Sequence, residues 1–328
     1  MSNKWNAFLA QFGGVVEAGN PTHFPHTVSA DKAALCDLSY RGLISVRGSE
    51  AQTFLARQFT ADILNLGPNQ SQLSGYCSQK GRLLAVFRLF IHEGAICLEM
   101  PRSLVEPILK RLRMFVLRAD VALEDSSDTL VRIGLLGGDV NDQPPMHQPE
   151  LTILSIPGVL PRFEIIGSPT VMQQYWQELA RTRIAIDSRL WEQQDILAGL
   201  PVIFPQTAEA FVPQMVNLQL VGGVSFTKGC YPGQEIVART QYLGTLKRRM
   251  YLLHSDNGDL PAPGDFIFSA TDSEQKTGTV VHAQASASGT DLLAVVEIQA
   301  TEAGNLRLGA PTGPLLTVRP LPYGDQPT

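Results

Sequence analysis

The stretch Val224-Ser225-Phe226-Thr227-Lys228-Gly229-Cys230-Tyr231-Pro232-Gly233-Gln234-Glu235-Ile236-Val237-Ala238-Arg239 gathers a thiol, a lysine, an amide, a carboxylate and an arginine into one short span. It opens on the pair Gly222-Gly223. Gly229 and Gly233 flank Cys230 and Tyr231, so the backbone there is free to take positive φ or to approach a ligand closely. Pro232 suits the first position of a helix, and Glu235 then falls in its electropositive first turn. Cys230 would sit just before that helix, two residues from Lys228 and within reach of Arg239. Such a setting lowers a thiol pKa below its free value of about 8.5. Read from these residues alone, Cys230 is either a reactive thiolate or a small buried hydrophobe under a glycine-rich turn.

The composition around this stretch is that of an ordinary globular protein. The 328 residues, 44% of them hydrophobic, suffice for a large core and two or three subdomains. A formal net charge of -5 argues against a general nucleic-acid coat or a membrane-surface protein, and no stable nucleic-acid complex is expected. No apolar run is long enough to span a bilayer, and the N-terminus has no apolar h-region, which predicts a cytoplasmic protein. Cys36, Cys77, Cys97 and Cys230 form neither a C-x-x-C nor a Cys/His ligand pair, so neither a disulfide framework nor a metal site is expected.

Upstream of the stretch, Trp5, Phe8, Leu9 and Phe12 recur at helical spacing. A strand over 42–48 and a helix from Glu50 to about Phe59 follow. A ribbon over 72–78 and 82–90 turns at Gln79-Lys80-Gly81, and Ala95 to Met100 makes a further strand. The helix from Pro101 to Leu112 carries Lys110, Arg111 and Arg113 near its end, where cations suit the helix dipole. Strands over 130–136, 151–156 and 162–166 and a helix over 169–181 repeat that order, with a proline-rich loop at 141–149. The result predicted is two α+β lobes sharing one interface. A helix from Arg189 to Ala198 contains Trp191, which reads either as a core anchor or as a flat surface for an aromatic ligand. Beyond Lys247-Arg248-Arg249 the texture changes to short alternating strands over 250–254, 265–269, 277–282, 292–298 and 315–318. These predict a small closed antiparallel barrel, placing one region at 1–244 and the barrel domain at 245–328.

The run from Phe211 to Gln219, the glycine pair, and Lys228-Gly229-Cys230-Tyr231-Pro232-Gly233-Gln234-Glu235 closely resemble the signature of the folate-binding YgfZ family. Phe59-Thr60-Ala61-Asp62, Ala198 to Ile203 and Pro320-Leu321-Pro322-Tyr323 are similar to it as well. That family is related to the T-protein of the glycine cleavage system, a tetrahydrofolate-dependent aminomethyltransferase. The resemblance implies an α+β fold of two T-protein-like lobes plus the C-terminal barrel, around a channel for tetrahydrofolate or another reduced folate. It also implies a monomer that supports assembly or repair of iron–sulfur clusters, chiefly [4Fe-4S], in client or scaffold proteins that include tRNA-modifying enzymes.

Carried onto this chain, the resemblance makes Cys230 and Lys228 the functional pair. It makes Trp191, Gln214, Asn217, Tyr231, Gln234, Glu235 and Arg239 folate-site residues. Arg41 stands where relatives carry a second tryptophan and is expected to offer a cation–π contact instead. At the ribbon turn, where true aminomethyltransferases carry a catalytic aspartate, this chain reads Ser78-Gln79-Lys80-Gly81-Arg82. Aminomethyl transfer is therefore the alternative reading, short of its acid.

Overall fold

A computed structural model of the chain describes residues 3–17, 19–26, 32–138, 144, 148, 150–269 and 272–324; most of the proline-rich loop lies outside them. In chain order the elements are α1 (Asn3–Ala10), β1 (Ala34–Asp37), β2 (Gly42–Arg47), α2 (Ala51–Ala56), β3 (Ser71–Cys77), β4 (Leu83–His92) and β5 (Ala95–Met100). They continue with α3 (Val105–Val116), β6 (Ala122–Asp125), β7 (Val131–Leu136), β8 (Thr152–Ser155), β9 (Arg162–Gly167), α4 (Pro169–Leu179), β10 (Ile184–Ala185) and α5 (Arg189–Leu197). The last part holds α6 (Gln234–Tyr242), β11 (Arg248–Ser255), β12 (Phe266–Ser269), β13 (Asp272–Ser286), β14 (Gly289–Glu297), α7 (Ile298–Ala303), β15 (Leu306–Leu308) and β16 (Leu315–Arg319).

Two compact units divide the chain, and the division runs through β3 and β4. One holds the chain up to Leu55 with Ile63–Gln72 and Phe87–Gln194; the other holds Ala56–Asp62, Leu73–Val86 and everything from Asp195 onward.

The first unit contains the sheet β10-β1-β7-β9-β8 and most of the sheet β3-β4-β5-β2-β6. Trp5, Phe8 and Leu9 of α1 and Met172, Tyr175 and Trp176 of α4 pack on one face of the former with Leu35, Ile133 and Ile165. The spacing of those apolar residues marks the helices, and their burial is what holds them. The other face shares a core with the second sheet, where Cys36, Leu136 and Ile166 meet Leu43, Phe90 and Cys97. His92 at the end of β4 bonds Thr152 of β8 at 2.9 Å, stitching one sheet to the other.

In the second unit β11-β14-β13-β12-β15-β16 closes as an antiparallel barrel, as the spacing of short strands predicts. Leu253, Ile267, Val280, Leu292, Ala294 and Leu306 fill it. Closure removes the unpaired edges that an open sheet of this size would present. β15 escapes the sequence pattern because three residues are too few to show alternation. No helix among the described residues is long and apolar enough to cross a membrane.

Candidate functional site

The glycine-flanked stretch lies in the second unit, and the structure revises its local geometry. Gly233, at φ 80°, is the residue that precedes α6, so Pro232 stands outside the helix rather than at its first position. A Cβ on Gly233 would lie 2.4 Å from the Ser78 carbonyl oxygen, which leaves glycine as the residue that fits. The ribbon turn at 78–81 is thereby locked against the start of α6.

Cys230 is exposed, whereas Cys36, Cys77 and Cys97 are buried. Burial pushes the thiols of Cys77 and Cys97 up to about 12 and that of Cys36 higher still, so these three stay inert thiols at neutral pH. Among the four, Cys230 is the sulfur that a reactant in solution can reach.

Lys228 takes a different role from the one its spacing suggests. Its ammonium donates to the carbonyl oxygens of Ala56, Phe59 and Ala61 at 2.5, 2.7 and 2.9 Å, which uses all three of its hydrogens. Burial pushes its pKa down to about 8, with the charge of Asp62 acting the other way. Lys228 is therefore a clamp on the segment after α2 rather than a proton carrier beside the thiol. The same clamp ends α2 at Ala56, short of the predicted Phe59, because the carbonyls of that segment turn toward the lysine. Tyr231 is buried with its ring 5.4 Å from the Lys228 nitrogen, and burial raises its hydroxyl pKa.

Gln214 and Asn217 are structural ties. The Gln214 amide donates to the Val237 carbonyl at 2.7 Å, holding α6. Asn217, left-handed at φ 56°, donates to the Met250 carbonyl of β11 at 2.9 Å and to the Tyr323 hydroxyl at 3.3 Å. Each is buried, and each keeps a carbonyl oxygen that accepts no hydrogen bond among the described residues. Gln234 is half-buried, and Glu235 and Arg239 are exposed along α6.

Trp191 and Arg41 belong to the first unit, and there too the structure corrects the expectation. Trp191 is fully buried in the core between the sheets, with the Arg162 guanidinium 4.9 Å from its ring centre. A Cβ on Gly134 would lie 2.6 Å from the indole, so the ring rests on backbone and offers no open face to a ligand. Arg41 turns its guanidinium to Glu99 at 2.9 Å and stands 5.9 Å from the Tyr40 ring.

That ion pair opens onto a cluster the sequence reading missed. Glu99 on β5 and Glu164 on β9 come from the two facing sheets, and both are buried. Neither Glu164 oxygen accepts a hydrogen bond from a donor among the described residues, and its neighbour is the Glu99 carboxyl. Two acceptors bond to each other only through a proton. Burial, and then the charge of Glu99, raise the Glu164 pKa well above the carboxylate range. Burial works to raise Glu99 too, but the hydrogen bond from Glu164 and the charges of Arg41 and Arg132 together hold it below its ordinary value. The pair thus shares one proton. Arg132, fully buried on β7, donates to the Arg41 carbonyl at 2.6 Å while its Nε and Nη1 find no acceptor among the described residues. The available signal was a carboxylate within each of two largely apolar strands, since such residues are almost never fully buried unless paired.

The shared proton makes stability pH-dependent. Glu164 has a raised folded pKa, so its contribution is full below the unfolded carboxyl value of about 4.3 and declines as pH rises toward the folded value. Glu164→Gln supplies a neutral donor to Glu99 without titrating. The native urea midpoint is expected to fall between pH 5 and pH 8 more steeply than that of the variant; parallel curves would dispose of the shared proton.

No protein-family model matches the chain. Proteins named tRNA-modifying protein YgfZ are similar to it. The one from Photobacterium profundum is 33% identical over 304 residues, spanning 89% of this chain and 92% of its own length. The one from Photorhabdus laumondii is 31% identical over 318 residues, spanning 92% and 96%. Among solved structures, glycine cleavage system aminomethyltransferase T from Bartonella henselae superposes with a TM-score of 0.72 at 16% identity, covering 97% of this chain and 96% of that one, which establishes the fold alone.

Proposed function

The chain belongs to the YgfZ family of tRNA-modifying proteins, and from that premise we propose that it binds a reduced folate, tetrahydrofolate, and supports assembly or repair of iron–sulfur clusters in client enzymes, tRNA-modifying ones included. The observation that carries the folate reading is the buried cluster. Apart from the proton they share, Glu99 and Glu164 keep oxygens without donors among the described residues, and Arg132 keeps nitrogens without acceptors there. A pterin edge presents N–H donors beside a carbonyl acceptor, which is the complement of that set. The residues therefore fit the group: Glu164 and Glu99 would take the donors, and Arg132 the acceptor. When bound, the folate supplies a carrier for one-carbon units.

Cys230 supports the second half of the reading because it is the exposed thiol of the four. One sulfur does not hold a cluster, which takes four thiolates, so any cluster contact is shared with a client protein. Aminomethyl transfer is not favoured, since the turn Ser78-Gln79-Lys80-Gly81-Arg82 holds no carboxylate.

The test has two arms. Calorimetric titration with tetrahydrofolate is expected to show binding that Glu164→Ala weakens at least tenfold, a loss of about 1.4 kcal/mol or more. Absence of heat with the native protein ends the folate reading. Cys230→Ala is expected to keep both the fold and the titration but to fail in restoring cluster-dependent tRNA thiolation to a strain lacking the gene; full restoration removes the thiol from the mechanism.

A further inference from the structure

The loop carrying Cys230 and the helix after it form one exposed face. Phe226, near the start of the loop, packs edge-on against Tyr242 at the end of α6, with ring centres 6.0 Å apart. The loop therefore runs back alongside the helix, and Cys230 and Gly229 are exposed on it. Tyr242 is 68% exposed and Leu243 beside it 85% exposed.

Two cations lie close to these side chains in the chain. Arg239 is exposed one helical turn before Tyr242, and Lys247 is exposed five residues after it. The exposed carboxylate of α6 is Glu235, in the first turn, at the opposite end of the helix from Tyr242. The chain as a whole is acidic at -5, so the positive charge of Arg239 and Lys247 is local.

We propose that this face docks a single-stranded loop of a transfer RNA, with a base stacked on Tyr242 and phosphates on Arg239 and Lys247. A supported aromatic ring with an arginine and a lysine near it in the chain is the combination that binds single strands: the ring takes any base, and the cations follow the backbone. The overall negative charge keeps such a complex weak and transient. The docking would bring a tRNA substrate of the client enzymes next to the exposed thiol. The inference rests on the tRNA link in the reading above and not on the folate.

The experiment is fluorescence anisotropy of labelled bulk transfer RNA with the full chain across a salt series, with an RNA duplex of matched length as control. Binding is expected at low salt, weaker for the duplex. Tyr242→Ala should weaken it about tenfold, as the loss of one stacked base does. Lys247→Ala should reduce the salt slope by roughly 0.7, the value for one phosphate of a single strand. Circular dichroism and the tetrahydrofolate titration check that these surface variants remain folded. No RNA binding by native protein, equal binding of the duplex, or an unchanged Tyr242→Ala variant overturns the proposal. Folate binding without RNA binding fails this inference alone. RNA binding through this face without folate binding upholds it and fails the folate reading.

Discussion

Trp191→Ala is expected to lower the stability of the folded chain by about 3–5 kcal/mol, the cost of emptying a large aromatic site in a packed core. The ring is fully buried among Cys36, Leu136 and Ile166, rests on the backbone at Gly134 and lies beneath the Arg162 guanidinium. Arg162 also donates to the Trp191 carbonyl at 3.4 Å, so the space left behind is framed by a charged group as well as by hydrocarbon. Against total stabilities of about 5–15 kcal/mol, a loss of that size leaves little margin at growth temperature. Urea denaturation of the native protein, Trp191→Phe and Trp191→Ala measures it, with Phe intermediate. Folate affinity per folded molecule is expected to be unchanged in Trp191→Phe. An unshifted midpoint together with lost tetrahydrofolate binding would return the indole to the ligand site and undo its placement in the core.

Lys228→Met carries the second large effect. Methionine retains most of the length of the side chain and removes its donors, stranding the carbonyls of Ala56, Phe59 and Ala61. Leaving such acceptors unsatisfied costs about 1–3 kcal/mol. The loss should concentrate locally, because all three acceptors lie within the one stretch 56–61. The Thr60 hydroxyl donates to the Gly223 carbonyl at 2.6 Å and accepts from the Gly75 amide at 2.8 Å, and the Ser225 amide donates to the Thr60 carbonyl at 2.8 Å. Hydrogen exchange at residues 56–62 and 223–229 is expected to accelerate ahead of the barrel. Uniform acceleration across the chain, or none, would deny Lys228 the role of a local clamp.

The two variants show where reading a sequence succeeds and where it stops. Trp5, Phe8 and Leu9 announce α1 because a helix buries every third or fourth residue, and the structure buries them. The barrel is legible for a similar reason, since alternation and turn residues are local properties of each strand. The end of α2 is not legible, because what stops it is a lysine some 170 residues away in the chain. Lys228 and Cys230 illustrate the limit at the site: proximity in sequence suggests that the ammonium faces the thiol, yet the side chain turns to three carbonyls.

By itself the sequence determined the fold class, the barrel, the family and the single glycine-flanked thiol, all of which are written in local pattern or in a contiguous motif. Tertiary structure alone decided that Trp191 is core, that Gln214 and Asn217 are ties, and that Glu99 and Glu164 meet. Those outcomes depend on which strands face one another, and a carboxylate acquires a raised pKa only when burial removes its water and another carboxyl is set against it.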